Sequence, residues 1–335
     1  MRVLIVKTSS MGDIIHTLPA VTDAMNAIAG IRFDWVVEEG FKEIPHWHSA
    51  VDKVIPVAIR RWRKAPLKTW RSGEWKAFKD NLQQREYDAV IDAQGLLKSA
   101  AIVVRCANGP SYGYDKGSIK EPLASRFYQH VFQIDKNQHA IERIRQLFAN
   151  ALSYPCPQRQ GDFGVSEHFE RTDDDAYLVF NHGTTRVDKH YPEVYWQELI
   201  SKATDQGWNI KLPWGNEKER SRAQLFAKNN DKVQVLSKMS LCEISQIIAN
   251  AAGCISVDTG LSHLSAALNK PNLTLFGPTD PGLVGGYGNN QKVLLASDYQ
   301  LEMKDSSCAA SVEPAVFQPL NPSIVWEEFS TIIDK

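Results

Sequence analysis

Short apolar runs alternate along the chain with polar loops and with stretches that carry apolar residues at helical spacing. A run of a few apolar, often β-branched residues predicts a buried strand, and apolar residues three or four positions apart predict a helix. The predicted strands cover residues 3–6, 33–37, 54–57, 87–91, 176–180, 210–212, 233–236, 255–257, 273–276 and 293–295. Strands that alternate with helices in this way indicate parallel α/β sheets.

The alternation is interrupted at residues 154–161, where two prolines and several polar residues stop regular structure. The length of 335 residues is sufficient for two domains. We therefore expect an α/β fold with two Rossmann-like domains, residues 1–160 and 161–321, that face each other across a central cleft. Residues 300–319 are predicted to be irregular, and the amphipathic segment 322–335 is predicted to be a helix that packs back on the first domain.

Residues 255–286 predict a ligand site most clearly. A strand ends in the turn Asp258-Thr259-Gly260 before a helix, and the next strand ends in the Gly- and Pro-rich loop 277–282. Because both loops follow parallel strands, we expect them at the carboxyl edge of a sheet, where ligands bind. The N–H groups that begin the helix favour a phosphate. The alternative is that Asp258 and Thr259 only cap the helix.

Two other strand-to-helix loops carry polar side chains. The loop 7–13 has neither a Walker sequence nor Gly-x-Gly-x-x-Gly. Its Asp13 is either a first-turn acid worth about 1 kcal/mol or a carboxylate at the sheet edge that is available as a general base. The loop 181–192 combines threonines with Lys189, which suits a diphosphate. Farther along, Trp214 is equally suited to stacking on a nucleobase and to packing.

Charge is distributed unevenly along the chain. The formal net charge is −1, which gives no general affinity for nucleic acid. Residues 60–79 nevertheless contain eight Lys or Arg, one Glu and three Trp. A solvated basic helix face is the usual explanation of such a segment. Basic and aromatic residues together also suit an anionic ligand or a membrane surface, and we favour this second interpretation.

Five cysteines are present, Cys106, Cys156, Cys242, Cys254 and Cys308. They are odd in number and lack paired spacing, so they predict reduced thiols and neither a disulfide framework nor a zinc site. No stretch approaches the roughly 18 apolar residues of a membrane span, and the N-terminal apolar run is too short for a signal peptide. We expect a soluble cytoplasmic protein that can still lie against a membrane.

Motifs with recognisable residues occur along nearly the whole chain, at 1–13, 16–19, 35–39, 59–64, 92–95, 184–186, 188–190, 211–215, 256–264 and 277–281. Together they resemble the ADP-heptose lipopolysaccharide heptosyltransferases, glycosyltransferase family 9, and most closely the members that add the first heptose of the inner core. The resemblance implies a GT-B fold and an inverting transfer with no cofactor and no bound metal. It implies ADP-L-glycero-β-D-manno-heptose as donor, and a Kdo residue of Kdo2-lipid A, bound by the first domain, as acceptor.

Carried over residue by residue, the resemblance implies a role for each site residue, with Asp13 as the catalytic base. The implied donor-binding residues are Thr184, Thr185, Lys189, Trp214, Glu219, Asp258, Thr259, Gly260 and His263, and Glu217 is an alternative to Glu219. The implied acceptor-binding residues are Ser10, Arg60, Arg61, Arg63, Lys64, Gln94 and Lys120. Lys120 stands where the family has Arg. Lysine keeps the positive charge, but it cannot form the bidentate hydrogen bonds that arginine donates to a carboxylate. Residues 181–183 also depart from the family pattern.

The resemblance further implies a monomer of a Gram-negative bacterium, in peripheral contact with the cytoplasmic face of the inner membrane and without a nucleic-acid partner. Two alternatives remain open. One is a heptosyltransferase that adds the second heptose. The other is a non-catalytic nucleotide-sugar-binding protein, which would have no need for the Asp13 carboxylate.

Overall fold

The computed structural model describes residues 1–172, 176–299 and 312–333. The chain divides into two compact units, Met1–His168 and the part from Phe169 onward. Part of the predicted irregular segment, residues 300–311 with Cys308, lies outside the described residues. None of the four described cysteines forms a disulfide with another described residue.

The first unit extends beyond the predicted boundary at residue 160, because its helices hold the proline-containing segment. Arg145 Nη2 donates to the carbonyls of Pro157 and Arg159 at 3.1 and 2.9 Å. Gly164, at φ +65°, lies so close to His48 that a Cβ there would be 2.8 Å from the ring Nε2. The prolines therefore end regular structure without ending the domain.

The first unit contains a six-stranded sheet with order β3-β2-β1-β4-β5-β6, in which all neighbours are parallel. Its strands are β1 Arg2–Val6, β2 Arg32–Glu38, β3 Val51–Val57, β4 Ala89–Asp92, β5 Ser111–Tyr114 and β6 His130–Phe132. Its helices are α1 Met11–Ile15, α2 Leu18–Ala27, α3 Glu43–His46, α4 Ile59–Lys64, α5 Pro66–Arg71, α6 Glu74–Gln83, α7 Leu97–Ile102 and α8 Ala140–Leu152. The four predicted strands are confirmed. Residues 111–114, for which the sequence pattern predicts no strand, form β5 in register with β4 and β6.

The second unit repeats this architecture, with strand order β12-β11-β10-β7-β8-β9 and parallel neighbours. Its strands are β7 Tyr177–Asn181, β8 Asn209–Leu212, β9 Val233–Val235, β10 Gly253–Val257, β11 Asn272–Phe276 and β12 Gln291–Leu295. Its helices are α9 Glu193–Asp205, α10 Glu217–Phe226, α11 Leu241–Asn250, α12 Gly260–Ala267, α13 Pro281–Val284 and α14 Pro322–Ser330.

The predicted position of the terminal helix is wrong. Helix α14 packs against α9, and Val325, Trp326 and Phe329 belong to the apolar core of the second unit. A Cβ on Gly253 of β10 would lie 2.9 Å from the Phe329 ring. The apolar face of the helix is therefore buried within its own domain. The predicted end of this helix, residues 334–335, lies outside the described residues.

In each sheet the strand order reverses at the centre, between β1 and β4 in the first unit and between β7 and β10 in the second. The loops that follow these strands meet at a topological switch point, which is where open α/β sheets bind ligands. The fold thus brings together the polar loops after β1 and β4, and separately those after β7 and β10. No helix of the described chain is long and apolar enough to cross a bilayer.

Candidate active site

Asp13 follows the loop after β1 and lies in the first turn of α1. Its Oδ2 accepts hydrogen bonds from the backbone N–H and the hydroxyl of Ser10, both at 2.8 Å, and its Oδ1 lies 3.4 Å from Lys7 Nζ. Burial raises the pKa of Asp13, but the Lys7 charge and the hydrogen bonds from Ser10 outweigh it and lower this pKa below its usual value. Since the side chain is still 46% exposed, Asp13 is both a capping acid and an ionised, accessible carboxylate.

The loop between β1 and α1 is held by side chains and carbonyls from the end of β4. Gln94 Oε1 accepts from the N–H groups of Thr8 and Ser9 at 2.8 and 3.0 Å, and Lys7 Nζ donates to the Ala93 carbonyl at 2.9 Å. Gln94 is a predicted acceptor-binding residue, yet its amide oxygen is occupied by this loop. Its contribution is to fix the backbone that leads to the carboxylate.

A cavity of about 130 Å³ lies beside Asp13, and the cations Lys7, Lys120 and Arg143 line it. Arg143 Nη2 donates to the Ser118 carbonyl at 2.8 Å, while its buried Nε has no hydrogen-bond partner within the described parts of the chain. Three cations around one cavity suit a negatively charged group. The structure therefore places the predicted residue Lys120 beside Asp13.

The four predicted cations Arg60, Arg61, Arg63 and Lys64 all lie on α4 but differ in availability. Arg61 forms ion pairs with Glu39 and with Glu74, at 3.2 and 2.7 Å. The others are free of ion pairs to any described residue. Arg61 is therefore a structural residue in this state, and three cations of α4 remain available for an anion.

Two loops of the second unit that carry predicted donor-binding residues lie in contact with each other. Lys189 Nζ lies 2.5 Å from Asp258 Oδ2, and the Thr184 hydroxyl donates to the Asp258 carbonyl at 3.2 Å. Thr259 is the N-cap of α12, but its side chain makes no capping hydrogen bond. The first N–H groups of α12 therefore remain available for an anion, which argues against the interpretation that these residues only cap the helix.

The remaining predicted donor residues lie around the same loops with different exposure. Gly260 begins α12 and His263 is buried one turn later in that helix, whereas Thr185 is exposed in the loop after β7. His263 is therefore packed in the core of the unit, whereas Thr185 is accessible to solvent.

Trp214 is largely a packing residue. Its ring is buried, and its Nε1 donates to the Leu236 carbonyl at 2.6 Å. Arg220 covers the ring, with its Cζ 5.3 Å from the ring centroid. Stacking of a nucleobase on the face that Arg220 covers would require this arginine to move.

Glu219, and not Glu217, lies at the donor loops. Glu219 Oε2 accepts from the Gly215 N–H at 2.7 Å, and a Cβ on Gly183 would lie 2.7 Å from the Glu219 carboxyl carbon. Glu217 points away, with 76% of its side chain exposed and an ion pair to Arg220 at 3.4 Å. Gly183, which departs from the family pattern, provides the space for the Glu219 carboxylate.

Comparison with known proteins identifies the family of the chain. The profile of "Glycosyltransferase family 9 (heptosyltransferase)" matches residues 75–312. The chain belongs to glycosyltransferase family 9. The two parallel Rossmann-like sheets confirm the predicted GT-B fold of this family.

Within family 9, the chain is 58% identical over 299 residues to lipopolysaccharide heptosyltransferase 1 of Escherichia coli K12, covering 88% of this chain and 94% of that protein. The structure of the E. coli heptosyltransferase WaaC with ADP aligns with a TM-score of 0.91 and 52% identity over 99% of both chains. Lipopolysaccharide heptosyltransferase 2 of E. coli K12 is 22% identical over 43% of each chain. The similarity thus favours the first-heptose branch of the family.

Two residues that line the cavity beside Asp13, Lys7 and Arg143, are absent from the sequence-based prediction. Lys7 had a recognisable signal, since it directly follows the apolar run of β1. Arg143 had no such signal, because it is one of several charged positions on α8.

Among the residues that the structure describes, no group of three or more His, Cys, Asp or Glu side chains could hold a metal ion. The prediction of a metal-free reaction stays a prediction.

Proposed function

We propose that the protein transfers L-glycero-D-manno-heptose from ADP-L-glycero-β-D-manno-heptose to a Kdo residue of Kdo2-lipid A during synthesis of the lipopolysaccharide inner core. Family membership and the similarity to heptosyltransferase 1 support the reaction. The observation that carries the mechanism is the accessible Asp13 carboxylate, held by Ser10 and paired with the buried Lys7. We assign Asp13 as the general base.

The proposed reaction is a single displacement that inverts the anomeric centre. Asp13 takes the proton from a Kdo hydroxyl while that oxygen bonds to the anomeric carbon of heptose. The bond from this carbon to the diphosphate oxygen breaks, and ADP leaves with the electron pair. Because the pKa of Asp13 is lowered, the carboxylate is ionised and ready to accept the proton at neutral pH.

The leaving diphosphate needs neutralisation of its charge. Lys189 and the first N–H groups of α12 supply this positive potential, and Thr184 lies beside them. Lys189 is paired with Asp258 in this structure. On donor binding we expect Lys189 to turn from the carboxylate to the phosphates, so that Asp258 can accept from the hydroxyls of the sugar. This arrangement requires no metal.

The acceptor is an acidic lipid. Lys120 and Arg143 lie in the cavity beside Asp13 and suit a sugar carboxylate, while Arg60, Arg63 and Lys64 on α4 suit lipid A phosphates. An acceptor embedded in a bilayer requires peripheral contact with the cytoplasmic face of the inner membrane. The protein acts there as a monomer.

The deciding experiment incubates the protein with ADP-heptose and Kdo2-lipid A and weighs the lipid product. We expect an increase in mass by one heptose residue. A parallel reaction uses Kdo2-lipid A that already carries the first heptose. Product formation only in this second reaction would contradict the proposal and support addition of the second heptose. Donor binding without any product would support a non-catalytic sugar-nucleotide-binding protein.

The role of Asp13 is tested with Asp13→Asn, which keeps the size of the side chain. We expect normal folding and donor binding but a decrease in kcat of about 10² or more, the usual contribution of a positioned base. Near-normal turnover would show that another group removes the proton.

A further inference from the structure

Asp92, the last residue of β4, is a buried acid that lies outside the described site. The residue is 0% exposed. Removing a carboxylate from water costs free energy, and burial accordingly raises the pKa of Asp92. An apolar residue at the end of this buried strand would avoid that cost. The hydrogen bonds of the carboxylate therefore indicate what the side chain contributes.

One carboxylate oxygen holds the loop 93–95, which follows β4. Asp92 Oδ1 accepts from the N–H groups of Gln94 and Gly95 at 2.8 and 3.1 Å. Gly95 has φ +65°, and a Cβ there would lie 3.1 Å from the Ile119 side chain. The carboxylate thus fixes a short loop whose backbone conformation favours glycine.

The loop 93–95 in turn holds the segment that leads to Asp13. The Gln94 side chain accepts from two N–H groups of the loop after β1, and the Ala93 carbonyl accepts from Lys7 Nζ at 2.9 Å. Lys7 Nζ also lies 3.4 Å from Asp13 Oδ1. A shift of the loop 93–95 would therefore displace both the backbone before Asp13 and the cation beside its carboxylate.

The other carboxylate oxygen connects this loop to two neighbouring elements. The Tyr128 hydroxyl donates to Asp92 Oδ2 at 2.8 Å, and the hydroxyl of Ser99 on α7 lies 3.0 Å from the same oxygen. Tyr128 packs so tightly on Gly113 of β5 that a Cβ there would lie 2.4 Å from its ring. Asp92 is thus attached to rigid parts of the fold on one side and to the loop 93–95 on the other.

We propose that Asp92 is a positioning residue for the transfer reaction, which acts through the loop 93–95 to hold Lys7 and the Asp13 carboxylate in the geometry required for proton removal. The inference deepens the proposed function and rests on the assignment of Asp13 as the general base. A displacement of about 1 Å from the productive geometry can cost about 10² in rate. A residue that reaches the base only through a loop can therefore control the rate of the reaction.

The test measures the single-turnover rate with saturating ADP-heptose and Kdo2-lipid A. We expect Asp92→Ala to lower this rate by about tenfold to 10²-fold, with unchanged affinity for ADP-heptose in calorimetry. Asp92→Asn keeps an oxygen that accepts from the loop, so its rate should stay within about threefold of the wild type. A rate in Asp92→Asn as low as in Asp92→Ala would overturn the proposal, because the charge would then matter more than the hold on the loop.

A matched control removes a second buried carboxylate from the same sheet. Asp34 of β2 is 0% exposed and also accepts from a tyrosine hydroxyl, that of Tyr87 at 3.0 Å. Asp34→Ala should lower the free energy of unfolding but leave the single-turnover rate of the folded protein unchanged. An equal loss of rate in Asp34→Ala and Asp92→Ala would overturn the proposal, since any buried carboxylate would then have the same effect.

A second measurement places Asp92→Ala in the Asp13→Asn background. Once the base is removed, Asp92→Ala should cause no further decrease in the residual rate, because no carboxylate is left to position. A merely structural role would lower the rate by the same factor in both backgrounds, and this result would overturn the proposal. Near-normal turnover in Asp13→Asn alone would instead contradict the proposed function, so the two failures are distinguishable.

Tyr128→Phe keeps the test decisive if Asp92→Ala does not fold. This variant removes one hydrogen bond from Asp92 Oδ2 and keeps the ring against Gly113. We expect its rate to fall by about threefold or more when Asp13 is present and to be unchanged in the Asp13→Asn background. A wild-type rate in Tyr128→Phe, or in a folded Asp92→Ala protein, would overturn the positioning role.

Discussion

Replacing Lys7 with Met removes the charge that the structure places next to the Asp13 carboxylate. Lys7 Nζ lies 3.4 Å from Asp13 Oδ1. At this separation two unit charges interact by about 1 kcal/mol at the dielectric constant of water and by about 5 kcal/mol at an effective value of about 20. Because Asp13 is half exposed, solvent screening favours the lower figure. We therefore expect the pKa of Asp13 to rise by about one unit in the variant.

The sign of the effect follows from the role of Asp13 as a base. The rate falls as pH decreases through the pKa of Asp13, because only the ionised carboxylate accepts a proton. The wild-type pKa lies below its usual value, so the wild type should keep its activity to lower pH than the variant. We expect the acid limb of kcat/KM in Lys7→Met to begin about one pH unit higher.

The assay is a pH profile of kcat/KM, with circular dichroism at each pH to verify that the protein remains folded. Lys53→Met is a matched control, since Lys53 lies on β3 and donates to the Asn81 carbonyl at 3.4 Å without contacting Asp13. Its acid limb should equal that of the wild type. An unshifted limb in Lys7→Met, with a lower rate at all pH values, would refute the electrostatic role of Lys7 and leave it a structural one.

Three other predictions concern stability, donor binding and metal dependence. Arg145→Met should lower the free energy of unfolding in urea by about 3–5 kcal/mol, because the buried Asp23 carboxylate, 2.6 Å from Arg145 Nε, loses its ion pair. The control is Arg105→Met, at an exposed position. Equal stability of the two variants would contradict the prediction. Glu219→Ala should weaken ADP-heptose binding by about tenfold or more in calorimetry, as expected for the loss of a hydrogen bond to a charged group. Glu217→Ala should bind ADP-heptose with normal affinity. Weaker binding in Glu217→Ala than in Glu219→Ala would assign the nucleoside contact to Glu217. EDTA should leave turnover unchanged, and activity that is lost in EDTA and restored by Mg²⁺ would exclude the metal-free mechanism.

The sequence predicted elements well where one local pattern decides them. The strands that became β1, β2, β7, β10 and β11 are apolar runs with both faces buried, as central parallel strands require. The strand β5 and the edge strand β6 were not predicted, because their residues include Gly113 and His130 and their burial is incomplete. Their strand geometry depends on the pairing of β5 with β4 and of β6 with β5, which no local pattern specifies.

For the candidate site too, the sequence predicted the residues that a local pattern marks, and it missed the contacts that depend on distant residues. Asp13, Lys189 and Asp258 were identified from the sequence because each lies in, or just after, a polar loop that follows an apolar strand. The sequence did not reveal that Arg61 is paired with Glu39 and Glu74. Nor did it decide whether Trp214 packs or stacks. These outcomes depend on neighbours that are distant in the chain or on another element.

The sequence by itself determined the two α/β domains, their polar loops and the family to which the chain belongs, because these depend on periodicity and on motifs of consecutive residues. Only the tertiary structure decided which loops meet, since strand order places β1 beside β4 and β7 beside β10. That order brings Lys7 to the Ala93 carbonyl and Lys189 to Asp258. The tertiary structure also shows that α14 packs in the second domain. An apolar face predicts that a helix is packed against a core, but it does not specify which domain provides that core.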